Sequence, residues 1–297
     1  MKQFITRLFI ITFLVFFFYI AFNDDISNIK DKNTKQVSKD ITNAELKIHF
    51  LDVGEADCTL IQIGNEYVLI DSGNNEDGLK LVNYFKELGI TSFKYVIGTH
   101  LHEDHIGGMD YVIRNFSIEH YYMPDVSSDN LTFTEVINEL NIKNINWEIP
   151  EIDSEFIVGD AKFKVLWISK NEEDINDTSI VLKLIYKNTS YLFMADATKN
   201  VELNILDKDL QSDVLRVGHH GASTSTSAQF LKKVNPNYAV ISVGTLNDYN
   251  HPHNVTLKKL NRLNVKTYRT DQDGSIILSS DGDGISFEKT KTDTNGN

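Results

Sequence analysis

A chain of 297 residues with 41% hydrophobic side chains can bury a substantial core, which excludes a disordered protein. Its formal net charge of -13 argues against a protein that coats nucleic acid with its whole surface, because phosphate neutralisation needs clustered Lys and Arg. The single cysteine, Cys58, excludes an intrachain disulfide or a cysteine zinc cluster and reads as a small buried core thiol.

Lys2 and Arg7 precede an apolar run from Leu8 to Phe22, which Phe4 and Ile5 extend to roughly the 20 residues a spanning helix needs. The run ends Ala21-Phe22-Asn23 without a small-residue cleavage pattern, so residues 1–22 are expected to stay as a membrane anchor. The positive-inside rule then puts the bulk of the chain outside, giving a single-pass protein with an extracellular C-terminal domain. Cleavage would instead make it a secreted protein. Residues 23–44 are polar and aperiodic and read as a flexible linker; residues 290–297 read as a polar tail.

The folded domain is expected over residues 45–289. Residues 46–51, 58–63 and 67–70 read as strands, with Gly64-Asn65 as a hairpin turn between the last two. A helix is predicted over 78–88, closed by Gly89, and then a strand over 94–98 that runs into a histidine-rich loop. Further strands are predicted at 163–167, 180–186 and 191–194, the last two joined at Lys187-Asn188. Helix 199–206, strand 214–217, helix 227–234, strand 238–243 and helix 255–263 follow, with short strands from Lys266 onward. Two β-rich units, each followed by helices, imply a sandwich of two mixed sheets with helices outside.

The chemistry concentrates in His100-Leu101-His102-Glu103-Asp104-His105, three imidazoles and two carboxylates within six residues at the end of an apolar strand, followed by Gly107-Gly108. Neutral imidazole and carboxylate oxygen suit zinc or manganese. Asp71 and Asp196 each close another apolar strand; taken alone, the first is a turn carboxylate and the second a helix N-cap. His219 and His220 follow a strand, where successive side chains point oppositely, so two adjacent core histidines fit poorly and at least one is free for function. His251 and His253 flank Pro252 at a helix start, where a cap or turn is the plain reading. No G-x-S-x-G element and no suitably placed cysteine offer a covalent nucleophile.

These motifs resemble the metallo-β-lactamase superfamily, whose signature is H-x-H-x-D-H, from about Leu46 to Phe287. The resemblance implies an α/β, four-layer αββα sandwich. It assigns His100 and His102 to a first metal, Asp104 and His105 to a second, and Asp196 to both, with Asp71 bracing the histidine loop. Where Ala195 stands, the family more often has glycine. Phe50 to Asp57, Asn176-Asp177-Thr178-Ser179, Gly218 to Ser223, Tyr249 to His253 and Tyr268 to Gly274 look, in that order, like the extracellular metallo-β-lactamase-type domain of ComEC competence proteins. Of the multi-helix channel of a full ComEC, these 297 residues are expected to carry no counterpart beyond the one membrane segment. No histidine lies between His120 and His219 to serve as the family's usual third ligand of the first metal; the Asn176 to Ser179 stretch occupies that region. Of His219 and His220, one is expected to complete the second metal site and the other to face substrate. His220 is taken as the ligand and His219 as catalytic, an order that spacing leaves open. The resemblance also makes His253 a candidate leaving-group acid or phosphate contact.

Two divalent ions, Zn or Mn, would generate a metal-bound hydroxide at neutral pH, with Asp104, Asp196, His219 and His253 around it. The expected function is thus a metal-dependent phosphodiesterase or nuclease on the cell exterior, with nucleic acid or another phosphodiester polymer as substrate. A hydrolase of a lactam, thioester or choline phosphoester is the alternative within the fold, and a non-catalytic, metal-stabilised surface binding module the alternative outside catalysis. Between Arg216 and Thr270 eight basic residues face one acidic residue, Asp248, so this segment is expected to form a basic face that captures polyanions.

Overall fold

The computed structural model describes residues 45–170 and 172–291. The expected anchor at 1–22, the linker at 23–44 and residues 292–297 of the tail lie outside the described residues. Among the described residues, no helix is long and apolar enough to cross a membrane.

In chain order the strands are β1 (Leu46–Phe50), β2 (Thr59–Ile63), β3 (Glu66–Ile70), β4 (Ser92–Ile97), β5 (Ser117–Tyr122), β6 (Trp147–Glu148), β7 (Glu155–Val158) and β8 (Ala161–Trp167). After them come β9 (Val181–Tyr186), β10 (Thr189–Phe193), β11 (Val214–Arg216), β12 (Tyr238–Ile241), β13 (Lys266–Arg269), β14 (Ile276–Ser280) and β15 (Ile285–Lys289). They build two mixed sheets, ordered β15-β14-β1-β2-β3-β4-β5-β6 and β13-β12-β11-β10-β9-β8-β7.

The period-2 alternation of the strands sorts their side chains between two faces. On β1, Ile48 and Phe50 enter the core between the sheets, where they meet Phe163, Leu182, Leu184 and Phe193 of the second sheet. His49, between them in sequence, turns to the other face, its Nδ1 2.7 Å from the hydroxyl of Tyr84. On that face Leu60, Leu69 and Val96 pack under helices Gly78–Glu87, Met109–Asn115 and Leu131–Lys143 through Leu81, Phe85, Val112 and Leu140. The outer face of the second sheet, Leu192, Leu215 and Ala239, packs under helices Lys199–Asn204, Ala228–Val234 and Asn254–Arg262 through Val201, Phe230 and Leu260. Each sheet therefore has one face against the other sheet and one against helices.

Strand direction sets where function can sit. β3, β4 and β5 run parallel, and β1 shares their direction because β1 and β3 are both antiparallel to β2. In the second sheet β10, β11, β12 and β13 run parallel, and β8 joins them because β9 is antiparallel to both neighbours. The loops after β1, β3, β4, β8, β10, β11 and β12 thus leave from carboxyl ends, where open α/β sheets carry their ligand sites.

The elements from Met109 to Val158, namely helices Met109–Asn115 and Leu131–Lys143 and strands β5, β6 and β7, had no counterpart in the sequence reading. β5, Ser-Ile-Glu-His-Tyr-Tyr, carries Glu119 and His120 within a strand, and β6 is two residues long, so neither displays an apolar run.

Candidate metal centre

Asp71, the residue after β3, has left-handed backbone (φ 59), which turns its carboxylate back toward the loop after β4. Its Oδ1 accepts the Thr99 amide at 2.8 Å, and its Oδ2 accepts both the Thr99 hydroxyl at 2.8 Å and His105 Nδ1–H at 2.8 Å. A carboxylate only accepts, so these bonds fix the His105 tautomer and turn its Nε2 the other way. The Thr99 hydroxyl has one proton and gives it to Asp71. Its oxygen is therefore the acceptor for His100 Nδ1–H at 3.2 Å, which leaves His100 Nε2 as a donor atom as well. Through one buried carboxylate, two imidazoles are aimed. Gly107 and Gly108 let the loop approach this closely: a Cβ on Gly107 would lie 2.3 Å from Asn74 backbone, and one on Gly108 2.5 Å from the Ser72 carbonyl.

Opposite, Asp196 follows β10 and is buried; Thr198, not Asp196, caps helix Lys199–Asn204. His219 and His220 lie in a tight turn after β11, both left-handed (φ 51 and 50). His220 Nδ1–H donates to the Ser242 carbonyl at 3.0 Å, so its Nε2 is a donor atom facing Asp104 Oδ2 at 3.2 Å and Asp196 Oδ2 at 3.7 Å. His219 Nε2 lies 3.7 Å from Asp196 Oδ2, but its side chain is 23% exposed against 3% for His220. His220 is thus at the buried carboxylates and His219 at the mouth.

Of three donor groups whose atoms lie within 4.8 Å of one another, Asp57, Asp71 and His105 are taken up with Arg216 and the bracing of the histidine loop; the other two are Asp104, His105, Asp196 and His220, and His100, His102 and Asp196. These two meet at Asp196. His105 Nε2 and Asp196 Oδ1 lie 3.3 Å apart, both buried, and neither makes a hydrogen bond. Two buried polar atoms facing each other unpaired fit a shared cation. The electrostatics agree. Burial disfavours the His105 imidazolium, yet Asp196, Asp71 and Asp104 outweigh it and raise its pKa well above the usual imidazole range. Burial also opposes Asp196 ionisation, but His105 and His220 hold its carboxyl well below the usual range. Burial, and then the neighbouring His105, push the His100 imidazole well below its usual range, which favours its neutral form. A field this negative draws positive charge to the centre.

A cavity of about 420 Å³ opens over these residues. Its wall includes Glu55, Asn74 and Tyr249, which sequence reading had not assigned to the site, together with Glu103 of the histidine loop and His251, for which a cap or turn was the plain reading. Glu55 Oε1 accepts His251 Nδ1–H at 2.8 Å while Oε2 accepts the Gly244 amide at 2.8 Å. His253, expected at the substrate, is not among the lining residues; its Nδ1 accepts the Ser223 amide at 2.8 Å. None of the eight basic residues of the 216–270 segment lines the cavity either. Arg216 is buried against Asp57, with burial lowering its pKa to about 9. Arg269 pairs with Asp271, and Lys259 donates to the Ser225 and Thr226 carbonyls. The expected basic face is therefore thinner than the count implied.

A model of the metallo-beta-lactamase superfamily matches residues 51–245. The chain belongs to this superfamily. Its histidine loop, Asp71, Asp196 and the His219-His220 turn all fall within the matched span. Over 254 residues it is 26% identical to ComE operon protein 3 of Bacillus subtilis (strain 168), which covers 78% of this chain and 33% of that protein. Competence protein ComA of Neisseria gonorrhoeae is 26% identical over 83% of this chain and 34% of its own, and Recombination protein 2 of Haemophilus influenzae 25% identical over 86% and 31%. These relatives are ComEC-like, as the ordered motifs implied, and the chain spans about a third of their length. Among solved structures, the metallo-beta-lactamase fold protein YhfI of Bacillus subtilis shares the fold (TM-score 0.50, 14% identity, 75% of this chain and 95% of that one). So does CmlA, a diiron beta-hydroxylase from Streptomyces venezuelae (TM-score 0.50, 13% identity, 77% and 53%).

Proposed function

We propose that this chain is a metal-dependent phosphodiesterase that cleaves nucleic acid outside the cell membrane, anchored by residues 1–22. The observation that carries the reading is the meeting of two donor sets at the buried Asp196. His100, His102 and Asp196 would hold one ion, and Asp104, His105, Asp196 and His220 another, with zinc and manganese both suited to nitrogen and oxygen donors. Such ions lower the pKa of a water and neutralise charge on an attacked phosphoryl group.

The chain's own residues do the rest. No serine or cysteine lines the cavity, and Cys58 is buried with its thiol pKa pushed up by burial, so the nucleophile is water rather than a side chain. Asp104, whose side chain is 29% exposed against 2% for Asp196, is the carboxylate of the second set that reaches the cavity and can orient the attacking water. His219 at the mouth contacts the substrate's phosphate. On the leaving-group side, His251, oriented by Glu55, stands in the wall, with His253 behind it at a ring distance of 5.0 Å.

Two features favour nucleic acid. Tyr249, 67% exposed, lines the cavity with its ring parallel to His251 within 16°, a face on which a base can stack. The relatives are named for competence and recombination. The test is to assay the full-length chain with added manganese or zinc on single-stranded DNA, RNA and a generic phosphodiester, beside a lactam, a thioester and a choline phosphoester. Metal-dependent cleavage of a phosphodiester is expected. Turnover confined to one of the other bonds would move the protein to another hydrolase class, and no turnover by metal-loaded protein would leave a binding module.

A further inference from the structure

The first donor set has three members where the second has four, and Asn176 of the turn Ile175–Thr178 lines the same cavity as His102 and Asp196. Every side chain around this turn but one has a described task. Asp174 Oδ1 accepts the Asn176 amide at 3.0 Å, and Thr178 donates to the Ile175 carbonyl at 2.7 Å. Asp177 Oδ1 accepts the Thr198 amide at 3.0 Å, and the Ser179 hydroxyl accepts the Asp196 amide at 3.3 Å. Asp177 and Ser179 thereby bind the turn to the segment that carries Asp196. Trp167 Nε1–H, donating to the Asp177 carbonyl at 2.7 Å, pins it from behind.

Asn176 is the exception. It is 9% exposed, its backbone bonds are made, and its Oδ1 is buried without a hydrogen-bond partner while the residue lines the cavity beside His102 and Asp196. An unpaired buried carbonyl oxygen costs roughly 1–3 kcal/mol, so a fold that holds one in place needs a partner for it.

We infer that Asn176 Oδ1 is the fourth protein ligand of the first ion, standing where the superfamily more often has a third histidine. This rests on the two-ion reading of the centre. It gives both positions the same donors, two imidazole nitrogens and two oxygens, and an amide oxygen in place of a third imidazole favours harder cations. Manganese should therefore compete with zinc better at the first position than it would beside a third imidazole, and Asn176→His should shift that position toward zinc.

The test is calorimetric titration of the chelator-stripped, full-length chain with Mn²⁺ and, separately, Zn²⁺, with thermal melting of the metal-free protein as the folding control. Two Mn²⁺ sites are expected in the wild type. Asn176→Ala should weaken one of them by about 10-fold or more and leave the other unchanged. Asn176→Asp should restore it, and Asn176→His should raise the Zn²⁺ over Mn²⁺ preference of that one site. If Asn176→Ala does not fold, the Asp and His variants decide: equal Mn²⁺ and Zn²⁺ affinities in both and in the wild type would overturn the inference. So would an Asn176→Ala protein that folds and binds two Mn²⁺ as tightly as the wild type. A wild type that binds two Mn²⁺ but cleaves no phosphodiester would sink the proposed function and leave this inference standing.

Discussion

Asp71 Oδ2 accepts the Nδ1 proton of His105 at 2.8 Å, and the same oxygen holds the Thr99 hydroxyl that in turn orients His100. One carboxylate thus aims an imidazole of each donor set. Replacing such a supporting partner typically costs about 10- to 100-fold in metal affinity. Asp71→Asn should lose affinity within that range at both sites in a competition titration against a chelating dye. A variant that lost affinity at the second site only would show that the Thr99 relay to His100 is not functional.

The geometry separates His219 from His220. His220 has its tautomer fixed by Ser242 and its Nε2 at two carboxylates, whereas His219 is partly exposed, its Nδ1 3.3 Å from the Thr224 hydroxyl and its Nε2 3.7 Å from Asp196 alone. His220→Ala should lower the number of ions bound per chain, measured by elemental analysis after dialysis. His219→Ala should keep both ions and lose mainly turnover. The reverse pattern would exchange their roles.

Ala195 precedes the shared carboxylate with left-handed backbone (φ 46), and its carbonyl accepts the His219 amide at 2.9 Å and Arg216 Nη1 at 3.3 Å. The glycine more usual at this position now has a physical reason: a Cβ there costs about 1–2 kcal/mol. Glycine's unfolded-state entropy returns roughly 0.5–1 kcal/mol of that. Ala195→Gly should therefore stabilise the metal-free chain by up to about 1 kcal/mol in urea denaturation. A destabilised variant would mean the Ala195 methyl packs favourably enough to outweigh its backbone strain.

The histidine loop was legible because its residues are neighbours in sequence and their spacing alone brings the donors together. The two sheets were legible from strand alternation. Glu55, Asn74 and Tyr249 were not, since their place in the wall comes from loops after β1, β3 and β12 that meet only in the folded chain. The basic segment misled for the same reason. A count of charges cannot see that Arg216 faces Asp57 in the interior or that Lys259 spends its protons on backbone carbonyls. Between Met109 and Val158, a two-residue strand and one interrupted by Glu119 and His120 left no periodic pattern to read.

His49 links pH to stability away from the centre. Burial, and then Lys47, lower its pKa from 6.5 to about 4, and its Nε2 is buried without a partner. Between those values the unfolded chain binds more protons than the folded one, so stability falls as the pH drops from 6.5 toward 4, by up to roughly 3 kcal/mol. His49→Gln should flatten the dependence of the urea midpoint on pH in that window. An equally steep dependence in the variant would assign the acid sensitivity to other groups.

The central claim is that Asp196 is shared by two cations. Its most direct test is the metal content of the purified, Mn²⁺-equilibrated full-length chain beside that of Asp196→Asn, measured by elemental analysis with the melting temperature of each metal-free protein as a folding control. The expected result is two ions per wild-type chain and fewer than one per chain in Asp196→Asn, with phosphodiester cleavage lost. A wild type that retains no ion and gains no activity with added metal, or an Asp196→Asn chain that still carries two, would contradict the account.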